Sequence, residues 1–304
     1  MMELFANMSK VVTNMSNENK YEELKQKNRE SYEEYRKMAE NWNGCISEEC
    51  NRYNENISVI NKERVDLRDQ IRELYNFLNE IGSSLDRKIT IFDFKMEETK
   101  SRQYTPEVLK LDNPQYSKHR ILEDSLFAHI RKHNENKKML EKFEVDLENQ
   151  ENKYLSDLMQ KSRYFDEIHN AVKIAKIYRN IVITVRDAIR NKIIPEMDYI
   201  RAFMYADSIN EKIVDEADLN DIEPCPIIEF KGTKYDKHYQ FVKNTFDFYE
   251  ISTAFFRETV LTDIMADDVV TDEERREFYE KTSNIKKSID SIDESKVLKD
   301  ERDE

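Results

Sequence analysis

Charged residues make up 37% of this 304-residue chain, apolar residues make up 38%, and the formal net charge at pH 7 is −14. A charge of this sign opposes the phosphate contacts that nucleic-acid binding needs, so no nucleic-acid partner is predicted. The chain has only three glycines, Gly44, Gly82 and Gly232. Three scattered glycines exclude the Gly-rich loops of nucleotide-binding P-loops and the GxSxG turn of α/β-hydrolases.

The same scarcity of glycine, together with only five prolines, favours long helices. The predicted fold class is all-α, an elongated antiparallel helical bundle or coiled coil with one very long helix. The three cysteines, Cys45, Cys50 and Cys225, indicate free thiols in a reducing compartment. The chain starts without a basic and apolar leader, and its longest apolar run is about five residues against about 20 for a membrane span, so a cytoplasmic location is predicted.

Residues 1–16 are predicted to form an amphipathic helix, and the Asn-rich stretch after Ser16 predicts its end. The apolar residues of this helix share one face at helical spacing. They are Leu4, Phe5, Met8, Val11 and Val12. This face is a candidate for docking on a membrane or on a protein partner.

Residues 17–99 are predicted to hold further helices, with a corner at Trp42-Asn43-Gly44 and a coiled-coil arm after it. The arm has apolar residues at alternating steps of three and four, the heptad pattern of a coiled coil. They are Ile57, Ile60, Leu67, Ile71, Leu74, Leu78, Ile81 and Leu85, with Arg64 as the one interruption. The sequence gives the charge of Arg64 no role, and replacement by leucine is predicted to be tolerated.

Residues 100–117 are predicted to be a connection, in which Thr105-Pro106 resembles the start of a short helix. A long central helix is predicted for residues 118–219, because the stretch from 117 to 194 contains neither glycine nor proline. Pro195 predicts a kink in it, since proline lacks the N–H that a helix interior needs.

The C-terminal part is predicted to be a loop at 220–236, a helical pair at 237–285 and a charged, frayed tail at 286–304. The last helix of the pair is predicted to begin after Thr271. There the sequence Thr-Asp-Glu-Glu forms a capping box, in which side chains bond the first free backbone N–H groups.

Two pairs of residues suggest metal ligands without completing a site. His129 and His133 lie one helical turn apart, but the chain lacks the HExxH motif. Asp166 and His169 have the spacing of half a di-iron site, but no second half occurs. The prediction is therefore that the protein has no metal, no cofactor and no catalytic residues, and that it is not an enzyme.

A basic stripe interrupts the acidic trend of the chain between residues 161 and 201. We define it by four residues that share one helical face. They are Lys176, Arg179, Arg186 and Arg190. The stripe is a candidate partner-binding surface, and the alternative is that it pairs with acidic helices of the same chain, such as 205–223 or 263–280.

The function predicted from these features is that of a structural or interaction protein, a helical scaffold or adaptor that binds protein partners or self-associates. The heptads and the length of the helices favour it. The alternative is a membrane-acting protein, pore-forming or membrane-remodelling, that uses the amphipathic N-terminal helix.

Overall fold

The computed structural model describes the backbone of residues 2–81, 89, 95–96, 98–113, 126–212, 223–225, 227–257 and 271–298. Within these ranges, side chains are described except those of residues 2–16, 126–132, 210–212, 257, 272, 274 and 275. Five α-helices lie in the described ranges, and these ranges contain no β-strand. They are α1 (Met2–Ile81), α2 (Leu126–Ala188), α3 (Ile194–Lys212), α4 (Tyr239–Arg257) and α5 (Asp272–Ser295). The prediction of an all-α fold is confirmed.

The chain divides into two units, and α1 and α2 each contribute to both. Unit 1 comprises residues 1–50 and 103–168, and unit 2 comprises residues 51–102 and 169–304. In unit 1 the contact between α1 and α2 is aromatic. The rings of Tyr35 and Tyr154 stack with centroids 4.2 Å apart, and Trp42 lies 5.6 Å from Phe165. Such pairs add about 0.5–1.5 kcal/mol each beyond the area that they bury.

Unit 2 contains the main hydrophobic core. The heptad residues of α1 from Ile57 to Ile81 are buried in it, except for Arg64, which is half-buried. They pack in one cluster with apolar residues of α2, α3, α4 and α5. Full burial of a Leu or Ile side chain contributes about 1.5–3 kcal/mol, so this seam is a major source of the stability of unit 2.

The helix breaks predicted near Ser16 and at Trp42-Asn43-Gly44 are wrong, because α1 is continuous from Met2 to Ile81. A glycine inside a helix costs only about 1 kcal/mol relative to alanine. Burial of Ile46 and the contact between the Trp42 and Phe165 rings offset this cost.

Two other predictions near the connections are also wrong. Residues 98–113 contain no helix at Thr105-Pro106 and run as an irregular segment. The tail predicted to fray from residue 286 is helical up to Ser295, because Ile289 and Ile292 are buried on one face of α5. The start of α5 at Asp272, directly after Thr271, is as the capping box predicted.

Proline accounts for the change of helix type before α3. Pro195 lacks an N–H, and its ring would clash with the carbonyl four residues earlier. The chain accommodates it with a π-helical turn at Ile189–Ile193, in which the N–H of Ile194 bonds to the carbonyl of Ile189. The irregularity therefore precedes the proline, and it places the first turn of α3, with Glu196, in the interior of unit 2.

Candidate functional site

The basic stripe is divided between interior and solvent. Arg186 forms an ion pair with Glu63 of α1 and a second one with the neighbouring Asp187. Arg179 donates a hydrogen bond of 3.3 Å to the side-chain oxygen of Asn56. These two arginines thus contact α1.

Lys176 and Arg190, the other two residues of the stripe, are exposed. They therefore present positive charge to solvent on the same helix whose arginines pack against α1. That these residues bind a partner stays a prediction, and only Lys176 and Arg190 are placed to reach one.

The other predicted sites are placed as follows. The apolar face of the N-terminal helix lies among the side chains outside the described residues. His133 lies 3.5 Å from the amide of Asn17, and His129 is outside the described side chains. In the part of the chain that the structure describes, no three His, Cys, Asp or Glu side chains are grouped so as to hold a metal ion.

Two asparagines of α1 form a feature of unit 2 that the sequence analysis missed. The side-chain amide of Asn61 accepts from the N–H of Thr99 at 3.1 Å and donates to the carbonyl of Thr99 at 3.0 Å. Asn54 makes the same two bonds with Arg102, at 2.9 and 3.0 Å. We call these two asparagines the amide pair. Each satisfies the backbone N–H and the backbone carbonyl of one residue.

The spacing of the amide pair matches the spacing of the residues that it holds. Asn54 and Asn61 are seven residues apart on α1, which is about 10.5 Å along the helix axis. Thr99 and Arg102 are three residues apart, which is about 10 Å along an extended chain. The two lengths are nearly equal, so the two asparagines can hold both residues at once.

One side-chain contact adds specificity to these four backbone bonds. The guanidinium of Arg102 lies over the ring of Tyr53, 5.9 Å from its centroid. Burial raises the pKa of the Tyr53 hydroxyl to about 12, and the charge of Arg102 opposes that rise. Tyr53 is therefore a neutral aromatic face that favours a cation at the position of Arg102.

In unit 1, α1 holds residues 103–113 in a related way. Asn43 and Asn28 donate to the carbonyls of Glu107 and Asp112, each at 3.3 Å. The hydroxyl of Tyr35 accepts from the N–H of Leu109 at 2.9 Å and donates to Asp157 at 2.8 Å. Burial raises the pKa of the Tyr35 hydroxyl well above its ordinary value, so the hydroxyl remains a donor at neutral pH.

A second missed feature is a buried acid–base pair in unit 2. The carboxylate of Glu196 lies 2.9 Å from Nδ1 of His238, and both side chains are inaccessible to solvent. Because a carboxylate only accepts hydrogen bonds, Nδ1 carries a proton. The other ring nitrogen, Nε2, is buried without a hydrogen-bond partner among the described atoms.

The Glu196 carboxylate also holds the chain that follows α5. It accepts from the backbone N–H groups of Val297 and Leu298, at 3.2 and 2.9 Å. Burial alone raises the pKa of Glu196, but the three hydrogen bonds outweigh it and hold the pKa below its ordinary value. Because no substrate can reach a pair with zero exposure, we interpret it as a structural anchor.

Different signals in the sequence bear on the two missed features. Asparagine is a poor helix former, so asparagines seven residues apart beside a continuous heptad seam were a detectable sign of the amide pair. Glu196 and His238 are 42 residues apart, and no local pattern connects them.

Comparison with known proteins adds no assignment. No protein-family model matches the chain, and no curated protein or solved structure matches it either. In the described residues, no helix is both long and apolar enough to cross a membrane.

Proposed function

We propose that this protein is a non-enzymatic helical scaffold or adaptor that binds a protein partner through an extended segment of that partner. The observation that supports this function is the amide pair of α1. Asn54 and Asn61 make four hydrogen bonds to Thr99 and Arg102, and all four are to backbone atoms. Recognition of this kind accepts any extended segment that presents the same groups in the same register.

The partner segment that fits best carries a cation in the position of Arg102. The face of Tyr53 receives the guanidinium there, and the net charge of −14 favours a basic partner over an acidic one. Residues 99–102 occupy this position within the chain itself. A tethered segment has an effective concentration of the order of mM, so a partner must add contacts beyond the four bonds to replace it.

Photo-crosslinking in living cells tests this function. A photoreactive amino acid at Ser58 lies between Asn54 and Asn61 on the same face of α1, and Ser58 is exposed. A matched control carries the photoreactive residue at Asp66, exposed and about 140° around the helix from Asn61. We expect a crosslink from position 58 to a second protein or a second copy, weaker in the Asn54→Ala, Asn61→Ala double variant and absent from position 66.

Crosslinks from position 58 that reach only residues 98–102 of the same chain would refute this function. The membrane-acting alternative makes a different prediction. It requires that the protein float with anionic liposomes and that removal of residues 1–16 abolish flotation.

A further inference from the structure

An open groove lies along one side of the helix pair α4 and α5 in unit 2. Its volume is about 630 Å³. The two helices run antiparallel here, since Asn244 near the start of α4 bonds to the carbonyl of Ser291 near the end of α5. The floor is apolar, because Phe255 and Ile285 are buried and Ile251 is half-buried beneath it.

The rim of the groove is basic. Lys281 and Lys287 line it and are exposed, and no carboxylate is among the lining residues that the structure describes. In a chain with 63 acidic and 49 basic residues, this is a local reversal of sign. Glu277 and Glu280 lie on α5 close to Lys281 in sequence, whereas Lys287 lies toward the other end of the groove. Asp290 follows Lys287 by three residues but is not among the described residues that line the groove, so an anionic ligand in the groove is placed best at Lys287.

The dimensions of the groove suit a small, narrow ligand. Its lining residues on α5 run from Lys281 to Ser291, which is about 15 Å along the helix. A single extended hydrocarbon chain fits a groove of this shape, and the volume lies within the range of about 300–1,000 Å³ usual for small-molecule sites.

We propose that the groove between α4 and α5 binds a free medium-chain fatty acid. The hydrocarbon tail lies against Phe255 and Ile285, and the carboxylate lies at Lys287. The apolar floor supplies the driving force, and the lysine selects an anionic head over a neutral one. This site is independent of the amide pair of α1.

Isothermal titration calorimetry with sodium dodecanoate on the full chain tests the proposal. We expect saturable binding of dodecanoate and weaker binding of dodecan-1-ol, which has the same tail without the charge. The Lys287→Gln variant should bind dodecanoate about three- to fivefold more weakly, the size expected for one exposed charge pair. Lys286→Gln is the matched control, because Lys286 is exposed on α5 but does not line the groove, and it should bind as the wild type does.

Two further variants locate the site. Ala254 is exposed on the wall formed by α4, so Ala254→Trp fills the groove without disturbing the core. Ser288→Trp fills it from α5. We expect both to abolish binding while circular dichroism shows unchanged helix content. Absence of binding to the wild type, equal binding of dodecan-1-ol, or unchanged binding to Ala254→Trp would each overturn the proposal.

Discussion

The carboxylate of Glu196 and the imidazole of His238 lie 2.9 Å apart, and solvent reaches neither side chain. Three elements meet at this carboxylate: α3, which carries it, the turn that carries His238, and the chain after α5. We expect Glu196→Gln to lower the free energy of unfolding by about 3–5 kcal/mol, the range for breaking a buried pair. Urea unfolding followed by circular dichroism measures this. The control Glu294→Gln changes an exposed glutamate on α5 and should cost less than about 0.5 kcal/mol.

The lowered pKa of Glu196 predicts how stability depends on pH. In the unfolded chain the carboxyl group binds a proton at a higher pH than in the folded protein, so its contribution is present above about pH 4.3. The contribution is lost as the pH falls from there through the lower pKa of the folded state. Urea unfolding between pH 7 and pH 3 should therefore show a smaller acid-dependent loss of stability in Glu196→Gln than in the wild type. Equal losses in the two proteins would contradict this assignment.

The amide pair should contribute stability as well as position. We expect Asn61→Ala to cost about 1–3 kcal/mol, because two hydrogen bonds of about 0.5–1.5 kcal/mol are lost. Hydrogen exchange is the more specific measurement, since the amide of Thr99 should lose protection. Asn76→Ala is the control. Asn76 is exposed on the same helix, and its replacement should leave the exchange of Thr99 unchanged.

The two described glycines should respond to substitution in opposite directions. Gly44 lies inside α1, and a Cβ atom added there meets nothing within 4 Å. Gly44→Ala should therefore stabilise the protein by about 0.5–1 kcal/mol. Gly232 has φ +75°, which an L side chain rarely adopts, so Gly232→Ala should destabilise it. Melting temperatures of the two variants, compared with the wild type, test both signs.

Arg64 contacts α4 in a way that the heptad pattern did not predict. Its guanidinium lies 5.1 Å from the centroid of Phe256 and donates to the backbone carbonyl of that residue at 3.4 Å, in the last turn of α4. Its charge therefore has two contacts that the heptad pattern did not predict. We now expect Arg64→Leu to cost about 1–2 kcal/mol in urea unfolding, through the lost bond and the lost cation–π contact. An Arg64→Leu variant as stable as the wild type would contradict this expectation and support the prediction from sequence.

Helical periodicity correctly predicted the features of the fold that depend on burial of apolar side chains. The seam from Ile57 to Ile81 and the start of α5 at Asp272 follow from local patterns, and the structure places both as expected. The continuity of α1 did not follow, because asparagine and glycine reduce local helix propensity. Asn43 is nevertheless buried in α1, and it donates to Glu107, 64 residues away. Polar contacts between residues so distant in sequence leave no periodic signal.

The two basic residues of the stripe that pack inward also make contacts that no local sequence pattern predicts. Helical spacing placed Arg179 and Arg186 on one face with Lys176 and Arg190, which is a property of one helix alone. The choice between solvent and interior depends on Asn56 and Glu63, which α1 brings to the two arginines. Spacing within one helix therefore predicts a shared face and leaves the partner of that face undetermined.

Seven residues of α1, from Asn54 to Asn61, span nearly the same length as the three residues from Thr99 to Arg102. The four hydrogen bonds therefore constrain the number of residues between Thr99 and Arg102 more than the side chains of those residues. Exchange of Ser101 or Lys100 for another residue leaves all four backbone bonds in place. Deletion of either residue would shorten the chain between Thr99 and Arg102 by about 3 Å, so the two residues could no longer bond Asn61 and Asn54 at the same time. At positions 100 and 101, a substitution should therefore preserve the four hydrogen bonds, whereas a one-residue deletion should break some of them.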